Sequence, residues 1–258
     1  MTSEKRTLGV VAAMPQEIAP LLARIKGYRR DTLAGRNLYR FPMNGTEVFL
    51  VESGMGPAHA EAATGALIAH AAPEAILNFG FGGAVLSGLE VAELVLAERV
   101  FLLEGEALTE LPPPAPALAA LVSEHCGKVG VQLRRGGFIT ACGIKSKVAM
   151  ASRIGAVTSL PLLEMETAAV LKRAQEAGVP VLAIRGVSDA ADEELGFAIE
   201  EFCDDELNLS PWRVAGCVLK RPHLMPQLIR LAGNSRRAGR RLALAVELAL
   251  QTLTRELP

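Results

Sequence analysis

The feature that most constrains the fold is a series of short, continuous apolar runs that each end in small residues or a carboxylate. These runs are TLGVVAAM, EVFLVESGMGP, EAILNFGFGGAV and VPVLAIRGVSD. Runs of this length are typical of strands buried on both faces, and helical segments such as AHAEAATGALIAHA lie between them. Strands that alternate with helices predict an α/β fold with a central, mixed β-sheet and helices on both of its faces.

The length and charge of the chain bound its organisation. With 258 residues, 50% of them hydrophobic, the chain is long enough for one large domain, and we find no linker-like segment. We therefore predict a single domain over residues 1–258, with residues 204–258 as its basic, helical C-terminal extension. The formal net charge of −1 gives no overall attraction to nucleic acid or acidic lipid.

Cysteines, histidines and the N-terminal segment bear on compartment and metal binding. The 4 cysteines lie far apart without a CxxC pair, and the 4 histidines are scattered. This pattern favours reduced thiols in a cytoplasmic protein and disfavours a metal site. The charged sequence MTSEKRTLGVVAAM is typical of the entry to a strand rather than a signal peptide, and no apolar run is long enough to span a bilayer.

The ends of the predicted strands indicate where a ligand binds. In open α/β sheets, ligands bind beyond the carboxyl ends of the strands. The segments AAMPQE, ESGMGP, NFGFGG and GVSDAAD all follow or end predicted strands. NFGFGG does not match GxGxxG, and neither the GxxxxGK[ST] nor the GxSxG motif occurs. The four segments therefore predict one binding site, for which no dinucleotide or other cofactor is expected.

Three carboxylates near these strand ends are candidate functional groups. Glu17, in the first turn of a helix, either stabilises the helix dipole or acts as a general base that activates water. Asp189 either caps a helix or, when partly buried, holds a proton for an acid step. Glu166 starts a helix and can accept two hydrogen bonds from a sugar diol, whereas we expect Glu164 to face a different direction.

An ordered set of motifs resembles the purine nucleoside phosphorylase and nucleosidase superfamily, most closely its 5'-methylthioadenosine/S-adenosylhomocysteine nucleosidase branch. AAMPQE resembles the family's GAMEEE, SGMGP resembles SGIGK, NFGFGG resembles NTGSAGG, GFI resembles AFI, LEMET resembles VEMEA, and RGVSDAAD resembles RAISDVAD. The set extends from Thr7 to about Phe197. The resemblance implies the three-layer α/β sandwich of this superfamily and an oligomer, with a homodimer favoured.

The resemblance also implies a reaction, which is hydrolysis of the N-glycosidic bond of a 5'-modified adenosine with release of adenine. Asp189 would donate a proton or a strong hydrogen bond to purine N7, and Ser188 would orient Asp189. Glu17 would activate the attacking water, and Glu166 would bind the ribose hydroxyls. The remaining residues that the resemblance places in the site are Met165 against the ribose, Phe138 and the Ile139 backbone at the base, Gly80 and Gly82 at the strand end, and Met14, Met55 and Phe197 around the 5' substituent.

Water rather than phosphate is the favoured nucleophile. Phosphorylases of the superfamily hold the phosphate dianion with arginines, one of them at a strand end. The corresponding segments here, NFGFGG and AAMPQE, contain no arginine. The resemblance therefore implies a hydrolase.

The match departs from the family in several places, among them LEVAEL at residues 89–94, which replaces the family's VGDIV, and GGFI, which lacks the acidic residue that usually precedes AFI. Phe79 and Phe81 are bulkier than the family residues, and the C-terminal segment KRPHLMPQLIRLAGNSRRAGRRL is unusually basic. This segment predicts either a pair of amphipathic surface helices with a solvated basic face, or a peripheral element that contacts anionic lipid. A comparable tail occurs in a hopanoid-associated branch, which is thought to remove adenine from an adenosylated hopanoid. That activity, futalosine hydrolysis and a catalytically silent nucleoside-binding protein remain the alternatives.

Overall fold

The computed structural model describes residues 6–143, 147–193 and 220–256, in which strands and helices alternate. The strands are β1 (Thr7–Ala12), β2 (Arg29–Leu33), β3 (Arg36–Met43), β4 (Thr46–Glu52), β5 (Ile76–Ala84), β6 (Leu94–Glu104), β7 (Ala107–Glu110), β8 (Arg134–Ala141), β9 (Leu162–Glu164) and β10 (Val181–Asp189). The α-helices are α1 (Pro15–Leu22), α2 (Pro57–Ala71), α3 (Pro116–Lys128), α4 (Lys147–Gly155), α5 (Thr167–Glu176) and α6 (Met225–Glu256). A short 3-10 helix, Pro222–Leu224, precedes α6.

All of these strands belong to one mixed sheet. Strands β4, β1, β5 and β10 lie side by side in parallel, and the antiparallel pairs β2–β3 and β3–β4 extend one edge. On the other side, β5 pairs with both β9 and β10, and β8 and β6 connect these two strands into a closed ring. The predicted α/β fold with a central mixed sheet is therefore confirmed.

Helices cover both faces of the sheet and divide the core in two. On one face, Leu67 of α2 and Leu171 of α5 are buried in a cluster with residues of β1, β4 and β5. On the other face, Ile18 of α1, Val122 of α3 and Val246 of α6 are buried together. These layers form the expected three-layer arrangement of a single α/β domain. None of the described helices is long and apolar enough to cross a membrane.

Helix α6 differs from the expected pair of surface helices. Its 32 residues form one continuous helix. The buried residues of its second half include Leu242, Ala243, Ala245, Val246, Leu248, Ala249, Leu250 and Leu253. Because LALAVELALQTL is apolar on most of its faces, this half packs into the core, whereas the arginines at 236, 237, 240 and 241 are exposed. Residues 204–219 of the predicted extension lie outside the described residues.

Candidate active site

The predicted strand ends meet around β5. Glu17, in the first turn of α1, accepts a hydrogen bond from the backbone of β5. Glu166 immediately precedes α5 and accepts a hydrogen bond from Gly56, in the loop after β4. Asp189, the last residue of β10, lies against Gly83 of β5. The fold thus gathers three carboxylates from different elements at one edge of the sheet.

The carboxylate of Glu17 is held by three backbone donors. Its Oε2 atom accepts hydrogen bonds from the N–H groups of Ala13 (3.0 Å) and Met14 (2.9 Å), and its Oε1 atom accepts one from Phe81 (2.8 Å). Gly80 permits this approach, because a Cβ atom at that position would lie 2.6 Å from Oε1. Burial raises the pKa of Glu17, although the guanidinium of Arg185 and the backbone hydrogen bonds oppose the rise. A raised pKa makes the ionised carboxylate a stronger proton acceptor.

Glu166 is a second buried carboxyl group with incomplete charge compensation. Its Oε1 atom accepts a hydrogen bond of 2.9 Å from the Gly56 N–H, and its Oε2 atom lies 3.9 Å from Nη2 of Arg185. Burial and the negative charge of Glu164 raise the pKa of Glu166 to about 8, against the opposing effect of Arg185. Glu166 therefore changes its charge close to neutral pH.

A buried polar cluster around Arg185 lies beneath this carboxyl group. Arg185 is 1% exposed, and its Nη2 atom donates to Glu164 (2.6 Å), Asn78 (2.8 Å) and Thr167 (2.9 Å). Glu164 also accepts hydrogen bonds from the hydroxyls of Thr140 and Thr167 and from the Thr167 N–H (2.8 Å). Burial by itself would raise the pKa of Glu164, but Arg185 and these hydrogen bonds outweigh burial and lower it.

The two glutamates of the LEMET segment thus face different surroundings. Glu164 faces the guanidinium of Arg185, whereas Glu166 faces the loop that contains Gly56. Both carboxylates approach Nη2 of Arg185, at 2.6 Å from Glu164 and 3.9 Å from Glu166, so the two groups differ in their further partners rather than by pointing away from each other. Within residues 6–143, 147–193 and 220–256, no three histidine, cysteine, aspartate or glutamate side chains are grouped so that they could hold a metal ion.

Asp189 is bound by a hydroxyl and an ammonium group. The residue is 7% exposed. Its Oδ1 atom accepts a hydrogen bond of 2.6 Å from Ser188, and its Oδ2 atom forms an ion pair with Lys147, the first residue of α4. Gly83 provides room for this carboxylate, since a Cβ atom there would lie 2.5 Å from Oδ2. Ser188 therefore contacts the carboxylate that it was predicted to orient.

Two of the methionines predicted around a 5' substituent lie together. Met55 is 7% exposed and packs with Ala13 and the half-buried Met14 in a small apolar cluster, separate from the main core. Ala13 and Met14 also donate to Glu17, so this cluster adjoins the candidate base. Met165 is half-buried and lies between the two glutamates in the sequence.

Other predicted site residues serve the packing of the sheet. Phe138 and Ile139 are fully buried in β8, and the Phe138 ring centroid lies 5.8 Å from the guanidinium of Arg185. A Cβ atom at Gly82 would collide with the Leu162 side chain, so this glycine permits close packing of β9 on β5. The contacts of Phe138, Ile139 and Gly82 with a ligand stay predictions, and Phe197 lies outside the described residues.

Two charged residues at the site were not singled out from the sequence. Arg185 interrupts the apolar run VPVLAIRGVSD, and a charge inside a buried strand requires a partner. That signal indicates a buried ion pair but does not identify Glu164 as its partner. Lys147 lies in a polar stretch, IKSK, with no comparable signal.

The fold and the site together define an α/β protein whose strand-end carboxylates surround a common site. The chain belongs to the phosphorylase superfamily, whose family model matches residues 7–210. The chain is similar to the 5'-methylthioadenosine/S-adenosylhomocysteine nucleosidase of Actinobacillus succinogenes, with 28% identity over 212 residues that cover 76% of this chain and 90% of the relative. The enzyme of that name from Geobacillus kaustophilus is 29% identical over 209 residues, covering 76% and 89%.

Solved structures show the same fold. The 5'-methylthioadenosine/S-adenosylhomocysteine nucleosidase of Campylobacter jejuni superimposes with a TM-score of 0.74 at 20% identity, covering 95% of this chain and 99% of that one. The futalosine hydrolase of Helicobacter pylori superimposes with a TM-score of 0.73 at 18% identity, covering 95% and 97%. These structures show the fold, the family model shows the superfamily, and the curated relatives support the predicted branch.

Proposed function

We propose that the protein is a purine nucleosidase that hydrolyses the N-glycosidic bond of a 5'-modified adenosine and releases adenine. The curated relatives carry the name 5'-methylthioadenosine/S-adenosylhomocysteine nucleosidase, which supports this substrate class. The observation that carries the proposal is the gathering of Glu17, Glu166 and Asp189 around β5, each with a different set of partners. Three carboxylates in different surroundings can perform three different tasks.

Glu17 is proposed as the general base. Three backbone N–H groups fix its orientation, and its raised pKa favours acceptance of a proton from the attacking water. The resulting hydroxide equivalent attacks C1' of the ribose while the bond to the purine breaks. The neighbouring apolar cluster of Ala13, Met14 and Met55 supports the placement of an apolar 5' substituent beside the attacked ribose.

Glu166 is proposed to bind the ribose. The Gly56 N–H fixes one carboxylate oxygen, and the ionised group can accept hydrogen bonds from both the 2'- and 3'-hydroxyls. Holding the ring in this way orients C1' toward the water at Glu17. Met165 is proposed to pack against the ribose, and Phe138 and the Ile139 backbone to meet the base.

Asp189 is proposed to assist departure of the purine. Breaking the glycosidic bond leaves the electron pair on the base, and a proton at N7 makes adenine a better leaving group. Ser188 holds Oδ1 of Asp189, and Oδ2, which pairs with Lys147, is proposed as the oxygen that acts on N7.

The arginine of the RGVSDAAD motif supports hydrolysis over phosphorolysis. The guanidinium of Arg185 is buried and is engaged by Glu164, Asn78 and Thr167. A phosphate dianion requires cationic donors that face the ligand. Arg185 is instead committed to the cluster beneath Glu166, which agrees with water as the nucleophile.

Adenine release tests this proposal. Methylthioadenosine, S-adenosylhomocysteine and adenosine are incubated with the protein, with and without phosphate, and the products are separated by chromatography. We expect release from the first two at rates that phosphate does not change. Asp189→Asn should lower turnover by about 10²–10⁴-fold, whereas Asp192→Asn, on the exposed turn after β10, is the matched control and should not. Release that requires phosphate would contradict hydrolysis, and near-normal turnover of Asp189→Asn would remove Asp189 from the reaction.

A second candidate substrate carries a hopanoid lipid as its 5' substituent. The first half of α6 favours it, because Met225 and Ile229 are 42% and 65% exposed on a helix that also exposes Arg236 and Arg240. Exposed apolar residues beside arginines suit the surface of an anionic membrane. Adenine release from adenosylhopane in anionic vesicles, without release from methylthioadenosine, would favour this substrate, and the reverse result would exclude it.

The oligomeric state and compartment stay predictions drawn from the family resemblance. We propose a homodimer in the cytoplasm. Light scattering of the purified protein measures the mass directly, and a mass near twice the 27.3 kDa of one chain is expected. A monomer at all concentrations that retains full turnover would contradict the dimer.

A further inference from the structure

Lys147 is placed to interact with the proposed leaving-group acid. It is the first residue of α4 and is 7% exposed. Its ammonium group pairs with Oδ2 of Asp189 and donates to the carbonyl oxygens of Ala190 (3.0 Å) and Asp189 (3.5 Å). An ammonium group has three N–H donors, and all three acceptors belong to these two residues. Lys147 thus holds both the carboxylate and the backbone that follows it.

Both oxygens of Asp189 accept hydrogen bonds from donors. Ser188 donates its hydroxyl to Oδ1 over 2.6 Å, and Lys147 occupies Oδ2. The Lys147 ammonium is therefore the proton donor in direct contact with Oδ2, the oxygen proposed to act on the purine.

Burial separates this pair from bulk water. The side chains of Lys147 and Asp189 are 8% and 10% exposed. Gly83 lets both groups lie against β5, because a Cβ atom there would be 2.5 Å from Oδ2 of Asp189 and 3.0 Å from Cε of Lys147. A buried ion pair contributes little net stability relative to apolar residues, so its position at the strand end is better explained by chemistry.

We propose that Lys147 stores the proton that Asp189 transfers to the purine, an inference that rests on the proposed role of Asp189. As the C1'–N9 bond breaks, its electron pair moves onto the base. N7 takes a proton from Oδ2 of Asp189, and Oδ2 takes one from Nζ of Lys147. The attacking water gives its proton to Glu17, and its oxygen bonds to C1'. Neutral adenine leaves, Glu17 then releases its proton to solvent, and solvent reprotonates the Lys147 amine.

Two substitutions of Lys147 separate proton storage from charge pairing. Lys147→Arg keeps a cation beside Asp189, but a guanidinium does not give up its proton. Lys147→Met removes both charge and proton. We expect both variants to lower kcat for methylthioadenosine by about 10²–10⁴-fold. Lys128→Met, which removes an exposed lysine at the end of α3, is the matched control and should retain kcat.

A change of leaving group supplies a readout that a structural role would not affect. The 6-chloropurine analogue of methylthioadenosine releases a more acidic base, which needs less protonation. The defect of Lys147→Arg should shrink to under about tenfold with this substrate. Because this variant keeps the ion pair, it tests the proposal even when Lys147→Met does not fold, and circular dichroism establishes which variants are folded.

The outcomes distinguish this inference from the proposed function. Wild-type kcat in Lys147→Arg would show that Lys147 supplies only a charge. If Lys147→Arg lost the same factor in kcat with both leaving groups, Lys147 would only hold the backbone after β10 and would not supply the proton. Normal turnover in Asp189→Asn would reject the proposed acid itself, whereas an inactive Asp189→Asn together with an active Lys147→Arg would reject only proton storage by Lys147.

Discussion

Two groups of buried carboxylates lie close together in this protein and behave differently. In the cluster beneath the site, Glu164 is paired with Arg185 and is further bound by Thr140 and Thr167. At the strand ends, Glu17 is bound by backbone N–H groups and Glu166 by the Gly56 N–H, with Arg185 at a longer distance from Glu166. Burial opposes ionisation in every case, yet the pKa of Glu164 is lowered and the pKa values of Glu17 and Glu166 are raised.

The difference shows what a buried carboxylate requires to stay charged. A direct guanidinium contact together with hydroxyl donors offsets the loss of water, whereas backbone donors and a more distant cation do not. The directly paired Glu164 therefore suits a structural role, whereas the raised pKa of Glu17 suits a proton acceptor. One guanidinium serves both groups, since Arg185 binds Glu164 directly and acts on Glu166 across 3.9 Å.

Replacement of Arg185 should have the largest effect on the difference between Glu164 and the strand-end carboxyl groups. Arg185→Met leaves Glu164 charged and unpaired, and we expect a loss of about 3–5 kcal/mol in the free energy of unfolding. Urea denaturation at pH 7 measures it. Because the pKa of Glu164 is lowered in the folded state, its contribution to stability is present above the unfolded value near 4.5 and is lost as the pH falls through the folded value.

The double variant Glu164→Leu/Arg185→Met is the control for that prediction. Removing both charges leaves no unpaired ion, so its loss should be much smaller than the sum of the two single losses. Additive losses would show that the cluster acts through packing, and the contrast with the strand-end carboxyls would lose its electrostatic basis.

Glu17→Gln tests the other side of the comparison. The amide keeps the shape but accepts no proton, so we expect turnover to fall by about 10²–10⁴-fold while adenine binding is retained. Since the folded pKa of Glu17 is raised, wild-type stability falls as the pH rises above about 4.5, and the variant should not show this fall. Lost binding with unchanged single-turnover cleavage would contradict the role of base.

The sequence predicted the strand-end carboxylates because their positions follow from local patterns. Each of Glu17 and Asp189 stands at the end of an apolar run, and parallel strands bring such ends to one edge of a sheet. The different partners of Glu164 and Glu166 depend on the end of a strand and the start of a helix between them. Residues two apart in a strand share a face, but β9 ends at Glu164 and α5 begins at Thr167, and only Glu166 accepts a hydrogen bond from Gly56.

Other features depend on contacts between distant segments. Arg185 meets Asn78 of β5 and Glu164 of β9, and no local pattern identifies such partners. The hairpin β2–β3 was not predicted from the sequence, and its turn uses Ala34 and Gly35, both with positive φ, in place of the Asn-Gly pair that marks such turns. Helix α6 was expected at the surface because of its arginines, although its second half fills the core.

Glu166 gives the next largest effect, through the pH dependence of catalysis. With a pKa of about 8, Glu166 is mostly protonated at pH 7 and cannot accept both ribose hydroxyls. We expect kcat/KM to rise by up to tenfold per pH unit below pH 8 and to level above it. Rates between pH 5.5 and 9 measure this rise, and Glu166→Gln should lose the inflection near pH 8. An unchanged inflection in that variant would assign it to another group.

The smallest expected effect comes from an exposed ion pair between α6 and the segment that follows Asp189. Arg230 of α6 lies 3.1 Å from Glu193, which accepts a hydrogen bond of 3.3 Å from the Ala190 N–H. The Arg230 side chain is 57% exposed, so Arg230→Ala should cost no more than about 1 kcal/mol in the free energy of unfolding. Turnover should stay close to that of the wild type, because Lys147 and Ser188 still hold Asp189. Thermal melting at low and high salt measures the pair, and its contribution should fade with salt. A large loss of turnover in Arg230→Ala would mean that an exposed ion pair controls Asp189. Burial of the charged groups would then no longer distinguish the catalytic contacts from the others.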